Sequence, residues 1–346
     1  MSEKLISPRK LTAFAASCLE KLGLTQDDAG LVAQTLVAAN LRGVDSHGIV
    51  RLPHYATRLR NGTVKSKPAI QVRRTGPSTA RVDGDGGMGQ LVAVRAMGEA
   101  IALARETGVG VVGAHDSSHC GACAYFVEMA IDAGMIGIAL THTDSIMMPP
   151  GMKRIFLGSN PIAFGAPAGK EPPIIVDMST TYAAWGKIIV ARQESKPIPA
   201  DWALDASGRP TTDPSQAVGL APAGGHKGYA LALMIEILCA QLTGSPFGLH
   251  VTKMYGELDK PRNLGHFMLA LDPSRFTDAS AFRSQIDLFV REIHAQEAAD
   301  PERPPLAPGD PERLCAIARS RNGVPLGQGV LAELNALGVA LGVTGL

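Results

Sequence analysis

Gly84-Asp85-Gly86-Gly87-Met88-Gly89 matches the G-x-G-x-x-G spacing of a dinucleotide-binding turn letter for letter. Its flanks also fit, with a β-like run over Ala80 to Asp83 before it and a helical pattern over Gln90 to Thr107 after it. What fails is the acidic residue that should grip a ribose ~20 residues further on. Glu106 has the spacing but falls at a helix end, and Asp116, ending a strand that starts at Val109, lies too far along. The sextet therefore reads as a glycine-rich β-turn rather than a dinucleotide-binding fingerprint.

Outward from that turn, short strands and helices alternate. The pattern predicts strands over Ile136 to Thr141, Pro173 to Met178 and Phe267 to Leu271, and helices over Ala122 to Gly134, Thr181 to Ala191 and Lys227 to Leu242. The first ~65 residues read as helical: Ser7-Pro8 opens one helix, and Thr25-Gln26-Asp27-Asp28 resembles a capping box opening another. Helices return over Ala279 to Ala295, Pro311 to Arg321 and Leu331 to Leu337. Residues 194–223, rich in Pro, Ser, Asp and Gly, read as a long loop that is either functional or a crossing between domains. The stretch 300–310 reads as a solvent-facing one.

Composition narrows the class. The 346 residues are 45% hydrophobic and carry 33 Lys+Arg against 32 Asp+Glu, so no basic surface invites nucleic acid. No apolar run is long enough to span a membrane, and Met1-Ser2-Glu3-Lys4 lacks the apolar core of a secretion signal. Five cysteines argue against a disulfide framework. A cytoplasmic enzyme with two or three domains is the expectation.

The richest chemistry lies in Asp45-Ser46-His47-Gly48-Ile49-Val50-Arg51. Imidazole moves protons near neutral pH, and guanidinium forks onto carboxylates. A helical turn here brings His47 and Arg51 to one face; the alternative is a helix end whose dipole they offset. Cys120-Gly121-Ala122-Cys123 is a C-x-x-C at a strand-to-helix junction, readable as a dithiol redox site. With His119 it offers three metal ligands but no fourth, so no metal site is expected. Ser179 or Thr180 is read as an N-cap for a following helix, and Lys227 as a cation at a helix start; both suit an anion.

Taken together, seven blocks resemble the type-2 malate/L-lactate dehydrogenase family over nearly the whole chain. They are DSHGIVRLPHY (45–55), SSHCGACAYF (117–126), LGSNPIAFGAP (157–167), DMSTTYAAWGK (177–187), IPADWALDASGRPTTDP (198–214), GGHKGYALALMIEILCAQLTG (224–244) and RNLGHF (262–267). Within the family the likeness is strongest to ureidoglycolate dehydrogenases, through Ala124 to Val127, Thr180-Thr181, Ala184 to Lys187, Ser245 to Gly248, Met254-Tyr255 and Arg262 to Gly265. The resemblance implies an α/β fold that is not Rossmann, with a mostly antiparallel central sheet and surrounding helices. It implies a helical domain over 1–70 joined by 275–346, a cofactor-binding region over 71–125 and 190–274, and a smaller unit over 126–189. It also implies a homodimer with the active site at the subunit interface.

By the same resemblance Ser46 and His47 form a hydroxyl–imidazole relay, and His119 is a second acid–base candidate. Arg51 takes the substrate carboxylate, with Tyr55, Ser159, Arg262 and Asn263 beside the substrate. NAD or NADP, NAD favoured, is met by His119, Cys120, Gly121, Ala122, Cys123, Thr143, Asp177, Met178, Ser179, Lys187, His226, Lys227 and the loop Pro308, Gly309, Asp310. The implied activity is hydride transfer on a small 2-hydroxy or 2-keto acid, first ureidoglycolate, with malate, lactate, sulfolactate and cyclic imino acids as alternatives. Lys187 stands where the imine-reducing branch carries an aspartate, which disfavours the imino acids. The Cys120 and Cys123 pair departs from the small apolar residues common in the family.

Overall fold

The computed structural model describes residues 3–346. Helices α1 (Pro8–Lys21) and α2 (Gln26–Leu41) start where the caps predict. The Ser7 hydroxyl accepts from Lys10 N–H, and Thr25 accepts from Asp28 N–H while donating to the Asp28 carboxylate at 2.7 Å. With α3 (Leu52–Arg60) they bury Leu11, Phe14, Leu19, Val32, Leu36 and Leu52. The chain's end returns to this cluster: α10 (Gln328–Leu341) adds Leu334 and Leu337, and β11 (Val324–Leu326) pairs with β1 (Lys4–Ile6).

The core of the molecule is a seven-stranded sheet. Its strands are β2 (Gln71–Gly76), β3 (Thr79–Asp83), β4 (Val109–Ser117), β5 (Ile136–Thr141), β6 (Ile162–Ala166), β7 (Ile174–Met178) and β10 (Leu264–Leu271). They lie in the order β2-β3-β4-β10-β5-β6-β7, and every adjacent pair is antiparallel except β3 with β4. Strand β10 enters the middle of the sheet from far along the chain, and its side chains are almost all buried because both faces are covered. Helices α4 (Gly89–Thr107) and α5 (Ala124–Asp132) pack on the sheet through Val92, Ala96, Met97, Phe126 and Val127. A two-stranded ribbon, β8 (Ala203–Leu204) with β9 (Gly219–Leu220), folds up part of the long loop. The remaining helices are α6 (Trp185–Gln193), α7 (His226–Glu236), α8 (Ala279–His294) and α9 (Asp310–Asn322). Among the described residues no helix is long and apolar enough to cross a membrane.

The glycine sextet does join a strand, a helix and a parallel strand, yet four of its N–H groups are already taken by protein acceptors. The N–H groups of Gly84, Gly86 and Gly87 donate to the carbonyls of His115, Asp116 and Gly84, and Asp85 N–H donates to the Asp83 carboxylate. At the start of α4 a Cβ on Gly89 would strike the carbonyls of Ser118 and His119, so protein backbone fills that space. Asp85 (φ 46°) and Gly86 (φ 67°) make the left-handed turn.

Several local expectations need correction. Strands β2 and β6 were not anticipated. Helix α6 begins at Trp185 rather than Thr181, because Tyr182 N–H donates to Ala221 and Thr181 bridges to Pro222, holding the chain extended. Ser179 and Thr180 therefore cap nothing; Ser179 Oγ bonds Thr181, and Thr180 bonds the Ser159 carbonyl. Helix α5 starts two residues late, where the Asp177 carboxylate accepts from Ala124 N–H at 2.7 Å. Beyond Glu236 the α-helix widens into a π-turn, Ile237–Gln241. The end of the 300–310 stretch is buried rather than solvent-facing, with Asp310 bonded to His294 and Arg313.

Candidate active site

Between α2 and α3 the chain makes two short 3-10 turns, Asp45–His47 and Ile49–Arg51, separated by Gly48. The single helical turn expected there is broken, since Gly48 presses on the Asn40 side chain so closely that a Cβ would overlap it. Asn40 holds the segment from beneath: its carbonyl oxygen accepts from Ile49 N–H at 2.7 Å, and its amide donates to the Asp45 carboxylate. Arg319, on α9, grips both oxygens of Asp45. Thus braced, Ser46 Oγ sits 2.9 Å from Nδ1 of His47.

His119 arrives from the β4-to-α5 junction and stacks on His47, ring centroids 5.5 Å apart and planes 23° from parallel. Its Nδ1 meets the Tyr55 hydroxyl at 2.7 Å, and that hydroxyl also accepts from Gln90 Nε2 at 3.0 Å. Tyr55 is buried and engaged with His119. Burial lowers the His47 pKa to about 4, helped by the Arg51 charge. His119 is held well below its ordinary value by burial, then by His47 and Arg51. Both imidazoles are neutral at pH 7, the form that can accept a proton.

Arginines surround the pair. Arg51 donates from Nε to the Ser46 carbonyl and from Nη1 to the Tyr255 hydroxyl. Arg58, on α3, brings Tyr255 there by donating to the carbonyls of Lys253, Met254 and Lys260. Arg262 is buried, bound to Asp144 and the Thr252 carbonyl, with Nη1 left unpartnered. Its neighbour Asn263 holds a left-handed φ of 50°. Ser46, Arg51, His54, Tyr255, Lys187 and Trp202 line a cavity of about 870 Å³. Lys187 lies over the Trp202 ring at 5.3 Å.

The remaining expected positions gather around β7. Asp177 meets the start of α5, just past His119 to Cys123. The Thr180 carbonyl accepts from Ala223 N–H, tying Asp177 to Ser179 to the approach of α7 and its exposed His226 and Lys227. Ser159 N–H donates to Thr143 Oγ1, and the Ser159 carbonyl accepts from Thr180 N–H. Pro308 accepts from Ile175 N–H, placing Gly309 (φ 100°) and Asp310 against the same strand.

Cys120 and Cys123 are free thiols, 2% and 1% exposed. The hydrogen bond from Cys120, and then burial, hold the Cys123 thiol up. Asp83, His115 and Asp116 group three potential ligand atoms, but Asp83 serves the Asp85 amide and His115 pairs with Asp116. Sequence reasoning passed over Gln90, Asn40, Asp45 as an anchor, and Arg319. Asn40, in the last turn of α2, and Asp45, five residues on in the 3-10 turn, make a local signal; Gln90 and Arg319 carry none.

The family model for malate/L-lactate dehydrogenase matches residues 6–335. The chain belongs to this family. It is accordingly an enzyme, a dehydrogenase acting on 2-hydroxy acids. It is 38% identical to L-sulfolactate dehydrogenase of Methanothermobacter thermautotrophicus over 97% of this chain and 96% of that one. It is 40% identical to ureidoglycolate dehydrogenase (NAD(+)) of Escherichia coli K12, over 84% and 83%. Among solved structures it is similar to malate dehydrogenase from Pyrococcus horikoshii, with TM-score 0.91, 35% identity and coverage of 99% and 97%. The mostly antiparallel sheet, rather than a Rossmann sheet, is therefore the architecture this dehydrogenase family uses.

Proposed function

We propose that the protein moves a hydride between NAD or NADP and the carbinol carbon of a small 2-hydroxy acid, with ureidoglycolate to oxalurate as the favoured reaction. One observation carries this reading: two neutral imidazoles stacked at 5.5 Å, with Arg51 beside them opening on a cavity. The match to ureidoglycolate dehydrogenase supports that substrate and NAD as cofactor. Lys187 in place of the imine branch's aspartate supports a hydroxy acid over a cyclic imine.

The residues around β7 fit a dinucleotide. Helix α7 starts just after Gly225, where the Lys227 and Gly228 N–H groups are taken by the Gly224 and Ala223 carbonyls, and the exposed side chains of His226 and Lys227 are what suits a pyrophosphate. A Cβ on Gly228 would strike the backbone of Ala223 and Thr180, so this helix start and the Asp177 to Ser179 turn form one surface. Asp177 to Ser179, His226 and Lys227, the His119 to Cys123 segment and the Pro308 to Asp310 loop would hold the cofactor. When bound, its nicotinamide supplies the hydride acceptor or donor.

The protein's own part is orientation and proton movement. Arg51, with Nε and Nη1 already tethered, offers its remaining nitrogen and its charge to the substrate carboxylate. Oxidation needs a base for the hydroxyl proton, and His47 and His119 are the unprotonated groups at hand. The free cysteines suit a reducing compartment, the cytoplasm. Leu231, Met234, Ile237 and Leu242 leave an apolar stripe of α7 and its π-turn in water, at 38–63% exposure. We assign that stripe to a second copy of the chain, and sedimentation equilibrium tests it, with a monomer contradicting the assignment.

The decisive assay follows reduced-nicotinamide absorbance with NAD and NADP across ureidoglycolate, malate, lactate and sulfolactate. Turnover of ureidoglycolate above the others supports the substrate; turnover of none overturns the reading.

A further inference from the structure

The Tyr55 hydroxyl lies between two groups of unequal capacity. On one side is Gln90 Nε2 at 3.0 Å, which can only donate. On the other is His119 Nδ1 at 2.7 Å, which donates or accepts according to its tautomer. A phenol carries one proton. With the Gln90 amide turned so that Nε2 faces the phenol and its buried Oε1 has no partner, the phenol accepts from Gln90, its proton points to His119, and Nδ1 is the bare nitrogen. The ring proton then sits on Nε2. Tyr55 and Gln90 are 3% and 0% exposed, so no bulk water offers an alternative partner.

His47 is under no such constraint. Its Nδ1 partner, Ser46, is exposed, and a serine hydroxyl rotates to donate or to accept. His47 can therefore present a bare Nε2 while Ser46 takes the hydrogen bond from Nδ1–H.

We propose that Gln90 and Tyr55 are positioning residues that lock His119 into the Nε2–H tautomer. This makes His119 the hydrogen-bond donor to the substrate oxygen and His47 the group that takes the hydroxyl proton. The inference rests on the hydroxy-acid reading for its catalytic meaning. In oxidation the O–H bond breaks and its proton passes to His47 Nε2, while the carbinol hydrogen leaves as hydride to the nicotinamide. His119 keeps its proton throughout. The products are the keto acid, reduced cofactor and a His47 imidazolium, which returns its proton to solvent. Reduction reverses each transfer.

The test is nitrogen NMR of the ring-labelled histidines in the full-length protein, with kinetics alongside. In the wild type His119 should show a bare Nδ1 and a protonated Nε2. In Tyr55→Phe the phenolic proton is gone, and that preference should disappear. Gln90→Glu, an acceptor when ionised, should turn the phenol around and move the ring proton to Nδ1. It should lower kcat roughly 10- to 100-fold with KM little changed. A protonated Nδ1 in the wild type overturns the proposal, as does a Gln90→Glu protein with an unchanged tautomer. The NMR result stands whether or not any hydroxy acid is turned over, so failure of the substrate reading is seen separately.

Discussion

Arg319 holds both carboxylate oxygens of Asp45, at 2.7 and 2.9 Å, across a separation of 274 residues. The late helix α9 thereby sets the position of the residue two before His47. Arg319→Ala should loosen the Asp45 to Arg51 segment, and with it the position of His47, while removing no acid–base group. The expected outcome is a fall in kcat of roughly 10-fold, with cofactor affinity unchanged. Steady-state kinetics beside a fluorescence titration with NADH reads both, and unaltered kcat would remove Arg319 from the site's support.

The neutral histidines make a prediction about acid. The folded pKa of His47 is about 4, below the ordinary 6.5, so the unfolded chain binds its proton first as pH falls. His54 is lowered to about 4 as well, by burial and then by Arg58 and Arg51. Stability from these groups is fully present above about pH 6.5 and should decline between 6.5 and 4. The acid limb of kcat/KM should likewise fall near pH 4. A limb at 6.5 would show His47 to be solvated and ordinary.

Arg51→Lys should raise KM for the acid about 10-fold or more and change kcat less. An ammonium cannot keep the Ser46 carbonyl, the Tyr255 hydroxyl and a carboxylate together in one plane. Equal KM in the two proteins would place the carboxylate elsewhere.

Two substitutions separate the glycine turn from the surface proposed to bind the cofactor. Asp85→Ala removes the Lys65 ion pair and the Ala69 amide bond, and NADH affinity should not change. Lys227→Ala should weaken NADH by roughly 10-fold, the loss of one charge-assisted contact. Isothermal titration of both variants would expose the opposite pattern, which restores the turn as a phosphate site.

How much of this was legible in the chain varies with distance along it. Caps at Ser7 and Thr25 and the strand over Ile136 to Thr141 are local signals, and the structure has all three. That the sheet is antiparallel came from the seven family blocks; periodicity alone does not tell strand direction. Strand β2, with its largely exposed side chains, lacks the apolar alternation that marks a strand. The start of α6 is not legible locally because Ala221 and Pro222, about forty residues on, hold its approach extended. In the site, the Ser46-His47 motif is contiguous and readable. Gln90 was not, since it reaches Tyr55 across 35 residues and only the fold brings them together.

The most direct measurement is turnover by His47→Ala and His119→Ala, each assayed in both directions against the wild type with NADH binding measured in parallel. Both variants are expected to bind NADH normally and to lose about 10²-fold or more in kcat. Wild-type turnover in both would contradict the claim that the stacked imidazoles do the proton chemistry.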